Sequence, residues 1–189
     1  MKRLLPDNLL EIQNRIADND QAALKMLFDH YSDSFFQLAY AIVRSKEMAE
    51  EIVEDVFIRV WEKRSRIVTI ENFSFYLYIT TRNTSISYLR KWRNKTHINF
   101  DDVELPHYQL SITPEDILIS GEIIQRINQA INKLPPKCLL IFKLVKEDGL
   151  KYREVAELLN INIKTVENQV GIALKKIHAA IKIHLPQTL

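Results

Sequence analysis

The chain has 189 residues, of which 47% are apolar and 26% are charged, and its formal net charge at pH 7 is +2. This composition suits packed cores, and no apolar run approaches the ~20 residues that a membrane-spanning helix needs. The single cysteine excludes an internal disulfide, and the N-terminus lacks the long apolar stretch of a secretion signal. We therefore expect a cytoplasmic protein of one large or two small domains.

Three helices are predicted before residue 95, because apolar side chains recur there at steps of three and four residues. The first includes Leu24 to Ile42, the second spans about residues 47–62, and the third runs from about Glu71 to Arg93. The side of the third helix predicted to face inward consists of Phe73, Tyr76, Leu77, Thr80, Ile86 and Leu89. We interpret these stripes first of all as core.

Acidic and basic residues are concentrated on different helices of this first half. The acidic residues of the second helix are Glu47, Glu50, Glu51, Glu54 and Asp55. Residues 82–97 contain several basic residues and no acidic one. The separation suggests one surface for a polyanion and another for a basic partner, although a charge run alone is more often a solvated surface.

A linker is predicted at residues 95–113, where Asn, Asp, Pro, Ser and Thr are mixed without helical periodicity. It divides the chain into a first domain, 1–94, and a second domain, 114–189. Thr113-Pro114-Glu115-Asp116, at the boundary between the linker and the second domain, is typical of a capped helix. We therefore predict an all-α fold of two small helical domains joined by a flexible linker, with no sheet.

The second domain contains a helix-turn-helix pattern at residues 151–177, after predicted helices that end near Leu134 and Asp148. Asn160 suits the left-handed conformation that often ends a helix, and Asn162 can cap the helix that follows. The inward stripe predicted for that last helix is Val166, Val170, Ala173, Leu174 and Ile177. The second helix of such a motif usually enters the DNA major groove, whereas an ordinary helical hairpin is the alternative.

Together these segments resemble the small extracytoplasmic-function group of bacterial RNA polymerase sigma factors, in the sigma-70 family. The acidic helix, Glu47 to Glu62, is similar to the family's second helix almost residue by residue. Other matching segments are Asp20 to Tyr31, Asn72-Phe73, Tyr76-Leu77-Tyr78, Arg82-Asn83, Tyr88 to Lys91, Leu134 to Lys137 and Tyr152 to Ile177. The resemblance covers about residues 15–185, and the order and spacing of the segments are more specific than any one of them.

The resemblance implies that the first domain, region 2, binds core polymerase and melts the minus-10 promoter element. The acidic residues of the second helix would contact the polymerase, chiefly its beta-prime subunit and also beta. The implied minus-10 contacts are Phe75, Tyr78, Arg82, Asn83, Tyr88, Arg90, Lys91, Trp92 and Arg93. Rings can hold bases that have lost their stack, and basic side chains can follow the backbone. The loop from Arg64 to Asn72 matches the family's segment that captures a flipped minus-10 base.

The resemblance also implies that the second domain, region 4, reads the minus-35 element. The implied contacts are Lys151, Tyr152, Arg153, Lys164, Thr165, Glu167, Asn168, Gln169, Lys175 and Lys176. Asn168 can pair with adenine and Glu167 can accept from cytosine, whereas the lysines suit phosphates. Glu167, Gln169 and Ile172 stand where several relatives have arginine, so we expect weak DNA binding by this domain alone. The implied partners are core polymerase, promoter DNA and an anti-sigma factor, with no cofactor, metal, catalytic residue or small-molecule substrate.

Three other functions remain as alternatives. A stand-alone helix-turn-helix regulator would account for residues 130–183, but not for the acidic and aromatic helices. An enzyme is disfavoured because the five histidines are scattered without metal-ligand spacing. A helical adaptor that sequesters a sigma factor would not need a reading helix.

Overall fold

The computed structural model describes residues 6–92 and 121–182, which belong to two compact units. Every regular element in these described ranges is a helix, which confirms the predicted all-α fold. No helix in the same ranges is long and apolar enough to cross a membrane. The predicted linker at 95–113 and the predicted helix start at Thr113 lie outside the described residues.

Residues 6–92 fold into the first unit. Its helices are α1 (Pro6–Ala17), α2 (Gln21–Val43), α3 (Lys46–Glu62), α4 (Arg64–Ile67) and α5 (Phe73–Trp92). The three predicted helices are confirmed as α2, α3 and α5, whereas α1 and the single turn of α4 were not predicted. The apolar signal of α1 was short, yet Ile12 and Ile16 lie one turn apart and are both buried.

Helices α2, α3 and α5 enclose the core of the first unit. Side chains from each of them, such as Leu38, Ile52 and Leu77, are completely buried. Two polar residues cap these helices: the Asp20 carboxylate accepts the first backbone N–H groups of α2, and the Ser45 hydroxyl accepts that of Met48 in α3.

The inward side of α5 differs from the prediction. Phe73 and Leu77 are buried as predicted, but Tyr76, Thr80, Ile86 and Leu89 are only half-buried. The buried positions also include the polar residues Thr81, Thr84 and Ser85. The hydroxyls of Thr81 and Ser85 donate to the carbonyls four residues earlier, at 2.9 and 2.8 Å. Because small hydroxyls can be satisfied within their own helix, α5 packs closely through a face that the apolar pattern did not indicate.

Residues 121–182 form the second unit. Its helices are α6 (Gly121–Asn132), α7 (Pro136–Lys146), α8 (Tyr152–Leu159) and α9 (Ile163–Lys182). One buried cluster joins Ile131 of α6, Phe142 of α7 and Ala173 of α9. Cys138 lies in this cluster, where its thiol donates to the Gln169 carbonyl at 3.3 Å and burial raises the pKa of the thiol. Cys138, the single cysteine of the sequence, is therefore a buried structural residue.

The predicted helix-turn-helix is formed by α8 and α9. Asn160 takes the predicted left-handed conformation after α8, with φ of 53°. The Asn162 side chain accepts the backbone N–H of Lys164 at 2.8 Å and so caps α9 as predicted. The inward stripe of α9 is confirmed at Val166, Val170 and Ala173 but is wrong at Leu174, which is 46% exposed. At 100° per residue, Leu174 lies about 70° around the helix from the centre of the buried stripe.

Candidate protein and nucleic-acid interfaces

The carboxylates predicted to bind a protein partner lie along one side of α3. Glu47, Glu50, Glu51 and Glu54 are exposed, whereas Asp55 is half-buried. The opposite side of α3 is buried at Ile52, Val53, Val56 and Phe57, as predicted. Because this side packs into the core, α3 presents its carboxylates to solvent. We call the four exposed glutamates the acidic surface.

Two local contacts organise the N-terminal end of the acidic surface. The Glu47 carboxylate accepts the Ser45 hydroxyl at 2.9 Å, and the pKa of Glu47 is lowered by its own backbone N–H and by that hydroxyl. Glu50 lies 3.7 Å from the Lys46 ammonium, one turn earlier. The middle of α3 therefore offers Glu51 and Glu54 as the better candidates for a basic partner.

Ile58 extends the acidic surface with an apolar side chain that the sequence analysis did not single out. It follows Glu54 by one helical turn and is 56% exposed. Its neighbour Phe57 is buried, so the two successive residues face different environments. A single exposed apolar side chain is common on protein surfaces, so Ile58 by itself does not assign an interface.

Asp55 and Tyr88, which were predicted to contact different partners, bind each other. The Tyr88 hydroxyl donates to Oδ2 of Asp55 at 2.9 Å and so links α5 to α3. Partial burial and the neighbouring Asp55 carboxylate raise the pKa of Tyr88 to about 12. This hydrogen bond joins α3, next to the acidic surface, to the basic end of α5.

We expect Tyr88→Phe to lower the free energy of unfolding by about 0.5–1.5 kcal/mol, because it removes one partly buried hydrogen bond. Since the pKa of Tyr88 in the folded protein lies above its ordinary value near 10, this contribution is fully present below about pH 10 and is lost as the pH rises toward 12. Urea titrations of both proteins at several pH values test this. Equal stability of the two proteins at pH 8 would contradict it.

The basic surface is at the C-terminal end of α5 and consists of Tyr88, Arg90 and Lys91. Arg90 and Lys91 are exposed, and the Lys91 ammonium lies 5.7 Å from the centre of the Tyr88 ring. Arg82 is half-buried and Asn83 is exposed, about two turns earlier. These side chains could contact a nucleic-acid backbone along one helix.

Phe75, although half-exposed as a stacking ring requires, lies far from the basic surface. Thirteen residues separate it from Tyr88, which at 1.5 Å per residue is about 20 Å along α5. The predicted rings therefore do not form one cluster. The side chain of Trp92 and the whole of Arg93 lie outside the described residues.

The prediction that Tyr78 contacts DNA is wrong. Its side chain has no exposed surface, and its ring packs edge-on against Phe35 with centroids 5.1 Å apart. It also lies 6.1 Å from the ring of Tyr31. A base could not reach Tyr78 without opening the core, so we assign it a structural role.

The outer face of α9 carries the predicted base-reading residues. Lys164, Asn168 and Lys175 recur one and three turns apart and are exposed, while Lys176 is exposed on the flank of this face. The remaining predicted contacts are exposed at Lys151, Arg153 and Glu167 and half-buried at Tyr152, Thr165 and Gln169.

Glu167 is held by an ion pair within α9. Its carboxylate lies 2.8 Å from the Lys164 ammonium, and the hydrogen bond from that ammonium raises the pKa of Lys164. Glu167 would have to leave Lys164 before it could accept from a cytosine. Asn168 has the clearer access to a base edge.

In a comparison with known proteins, models of one protein family match both units. The family model for Sigma-70 region 2 matches residues 27–95, and that for Sigma-70, region 4 matches residues 124–177. These stretches fall in the first and the second unit respectively, and helix α1 precedes the first of them.

Whole-chain relatives carry similar names. The chain is 28% identical over 163 residues to the ECF RNA polymerase sigma factor SigW of Bacillus subtilis, covering 82% of this chain and 87% of that protein. It is 24% identical over 177 residues to the ECF RNA polymerase sigma-E factor of Escherichia coli K12, covering 90% and 91%. Among solved structures, that of CnrH in complex with the cytosolic domain of CnrY covers 93% of this chain and 98% of that chain, with 18% identity and a TM-score of 0.49.

Proposed function

The chain belongs to the extracytoplasmic-function group of sigma-70 factors and directs RNA polymerase to promoters, and we propose how its two units share that task. Sigma factors are not enzymes, so we propose that this chain acts by binding polymerase and promoter DNA. The first unit would bind core polymerase and open the minus-10 element, and the second would read the minus-35 element. The domain bounds that we propose are 1–94 and 114–189, with 95–113 between them.

The observation that carries the proposal for the first unit is the pairing of α3 with α5. One helix presents the acidic surface and the other presents the basic surface, and the Asp55–Tyr88 hydrogen bond joins them. A protein partner with a basic face would bind α3, while a DNA strand would follow α5. We propose the beta-prime subunit of polymerase as the main partner of α3, with beta making further contacts.

Opening a duplex requires contacts that favour the separated strand. Stacking on a ring contributes ~1–3 kcal/mol per base, and basic residues attract the backbone. Tyr88 supplies a ring with Arg90 and Lys91 beside it, and Phe75 supplies a second ring about 20 Å away along the same helix. That spacing would let α5 hold the opened strand at two separate places.

The second unit would place α9 in the major groove. Asn168 lies exposed in the first half of the helix, where side chains of this motif reach base edges. The lysines on and beside this face would bind phosphates and set the register. We also propose an anti-sigma factor as a partner and the cytoplasm as the location, both on the strength of family membership.

We expect Asn168→Ala to change the preference for minus-35 sequences, with a loss of about 1–3 kcal/mol of discrimination at one base pair. Lys176→Ala should instead weaken binding to every sequence evenly and reduce the slope of log affinity against log salt by about 0.9. Competition binding of holoenzyme to a panel of minus-35 variants measures both effects. An even loss across the panel for Asn168→Ala would contradict its role as a reader.

Transcription in vitro with core polymerase and this protein tests the proposed function as a whole. A sigma factor confers initiation at defined promoters, whereas a stand-alone regulator or an adaptor does not. Failure of core polymerase to start at any promoter in a genomic library when this protein is added would overturn the proposal.

A further inference from the structure

A buried amide of α1 holds residues 64–70, which comprise α4 and the three residues after it; we call this stretch the α4 segment. The Gln13 side chain is 2% exposed, and its amide nitrogen donates to the backbone carbonyls of Ile67 and Ile70, the latter at 3.0 Å. These acceptors lie 54 and 57 residues later in the chain. Such contacts fix the segment relative to α1, which the matched stretch of region 2 does not include.

A second contact attaches the same segment to the turn after α1. The Arg64 guanidinium at the start of α4 donates to Oδ1 of Asn19 at 2.6 Å and to the Trp61 carbonyl at 2.9 Å. It also lies over the Trp61 ring, 4.8 Å from its centre. The α4 segment is therefore fixed at its N-terminal end by the Arg64 contacts and near its C-terminal end by Gln13.

The segment needs these contacts because α4 is too short to hold itself. Its single turn leaves carbonyls without partners further along the helix. Ile67 is buried and anchors the inner side, whereas Arg66, Val68 and Thr69 are exposed on the outer side. The segment thus has one fixed face and one face that is open to a ligand.

We propose that Gln13 is a positioning residue that holds residues 67–70 in the geometry needed to capture one unstacked base of the minus-10 strand. This inference rests on the proposed function of the first unit. A flipped base must meet a surface placed to within a fraction of an ångström, and a loop meets that need only when supporting groups fix its backbone. The Gln13 amide supplies that support from a helix with no other assigned role.

The test uses Gln13→Met, which keeps the length and flexibility of the side chain and removes both N–H donors. Holoenzyme made with either protein is bound to a single-stranded minus-10 oligonucleotide and to copies in which one base at a time is replaced by an abasic site. For the unaltered protein we expect one position where the abasic site lowers affinity roughly 5- to 150-fold. For Gln13→Met we expect weaker binding of the intact strand and a loss at that position of less than about threefold.

A general loss of stability would give a different pattern. It would weaken binding to all strands alike and leave the abasic profile unchanged. Ile16→Val is the matched control, because it removes one methyl group from the same buried side of α1 and no hydrogen bond. We expect it to keep the full position-specific loss.

Asn19→Gly gives a second test at an exposed site, so it does not depend on Gln13→Met folding. Glycine accepts the φ of 66° at this position and removes only the contact with Arg64. We expect a smaller reduction of the position-specific loss. An unchanged profile in every folded variant would overturn the inference and leave the proposed function standing, whereas a flat profile for the unaltered protein would overturn base capture itself.

Discussion

Replacing Arg90, Lys91 and Arg93 together with alanine is expected to abolish open-complex formation. Arg90 and Lys91 are exposed at the C-terminal end of α5, beside the partly exposed ring of Tyr88. Each phosphate contact that is lost lowers the slope of log affinity against log salt by about 0.7 on a single strand, so the triple variant should lose a slope of about two. Permanganate reactivity of thymines in the minus-10 element measures the opening directly.

The matched control keeps the charge and changes only the shape of the groups. Arg90→Lys with Arg93→Lys leaves an ammonium group at each of the three positions, and we expect it to retain most of the opening. A promoter whose minus-10 strands are already separated measures strand binding alone, because it needs no melting. Normal permanganate reactivity with the alanine variant on a duplex promoter would refute the assignment of α5 to the minus-10 strand.

The helices that carry these surfaces could be predicted because their patterns are long and regular. In α3 the helical period places the acidic residues on one side and the apolar residues on the other. The structure has this arrangement, with the apolar side buried. The turn of the helix-turn-helix was also predictable, since Asn160 and Asn162 act through their own side chains and backbone. Local chemistry decided both features.

The face of α5 could not be predicted in the same way. Residues 75–79 are all aromatic or aliphatic, so periodicity within this run does not say which of them point inward. Tyr78 is buried because Phe35 of α2 packs against it, and that contact depends on tertiary structure. Thr81 and Ser85 are also buried, and because they are polar, the apolar pattern did not indicate that this face of α5 points inward.

Long-range contacts account for the other features that the sequence did not indicate. The Gln13 amide and the Ile67 carbonyl are separated by 54 residues, and nothing in either segment alone predicts their meeting. The Asp55–Tyr88 hydrogen bond spans 33 residues and joins two side chains that had been assigned to different partners. Because of this hydrogen bond, a substitution of Asp55 would also disturb α5.

Reversing two charges of the acidic surface, Glu51→Lys with Glu54→Lys, is expected to weaken binding to core polymerase by at least tenfold, ~1.4 kcal/mol. Both side chains are exposed, so the substitution should leave the fold intact. Asp55 is left unchanged because a lysine there would also break the bond to Tyr88 and so disturb α5. Competition between the altered and the unaltered protein for a limiting amount of core polymerase measures the effect.

The control for this prediction must carry the same change of charge at another place in the first unit. Asp33→Lys with Asp18→Lys provides it, because both carboxylates are exposed, one on α2 and one in the turn after α1, and lie outside the acidic surface. If long-range attraction to the whole unit caused the binding, both double variants would weaken it equally, and at high salt both would bind as the unaltered protein does. If α3 is the docking helix, only the variant in α3 loses affinity, and promoter opening falls with it while the isolated protein keeps its helical content and its midpoint of unfolding. Equal co-purification of the α3 variant and the control with core polymerase would show that the acidic surface of α3 is solvated and not a polymerase contact.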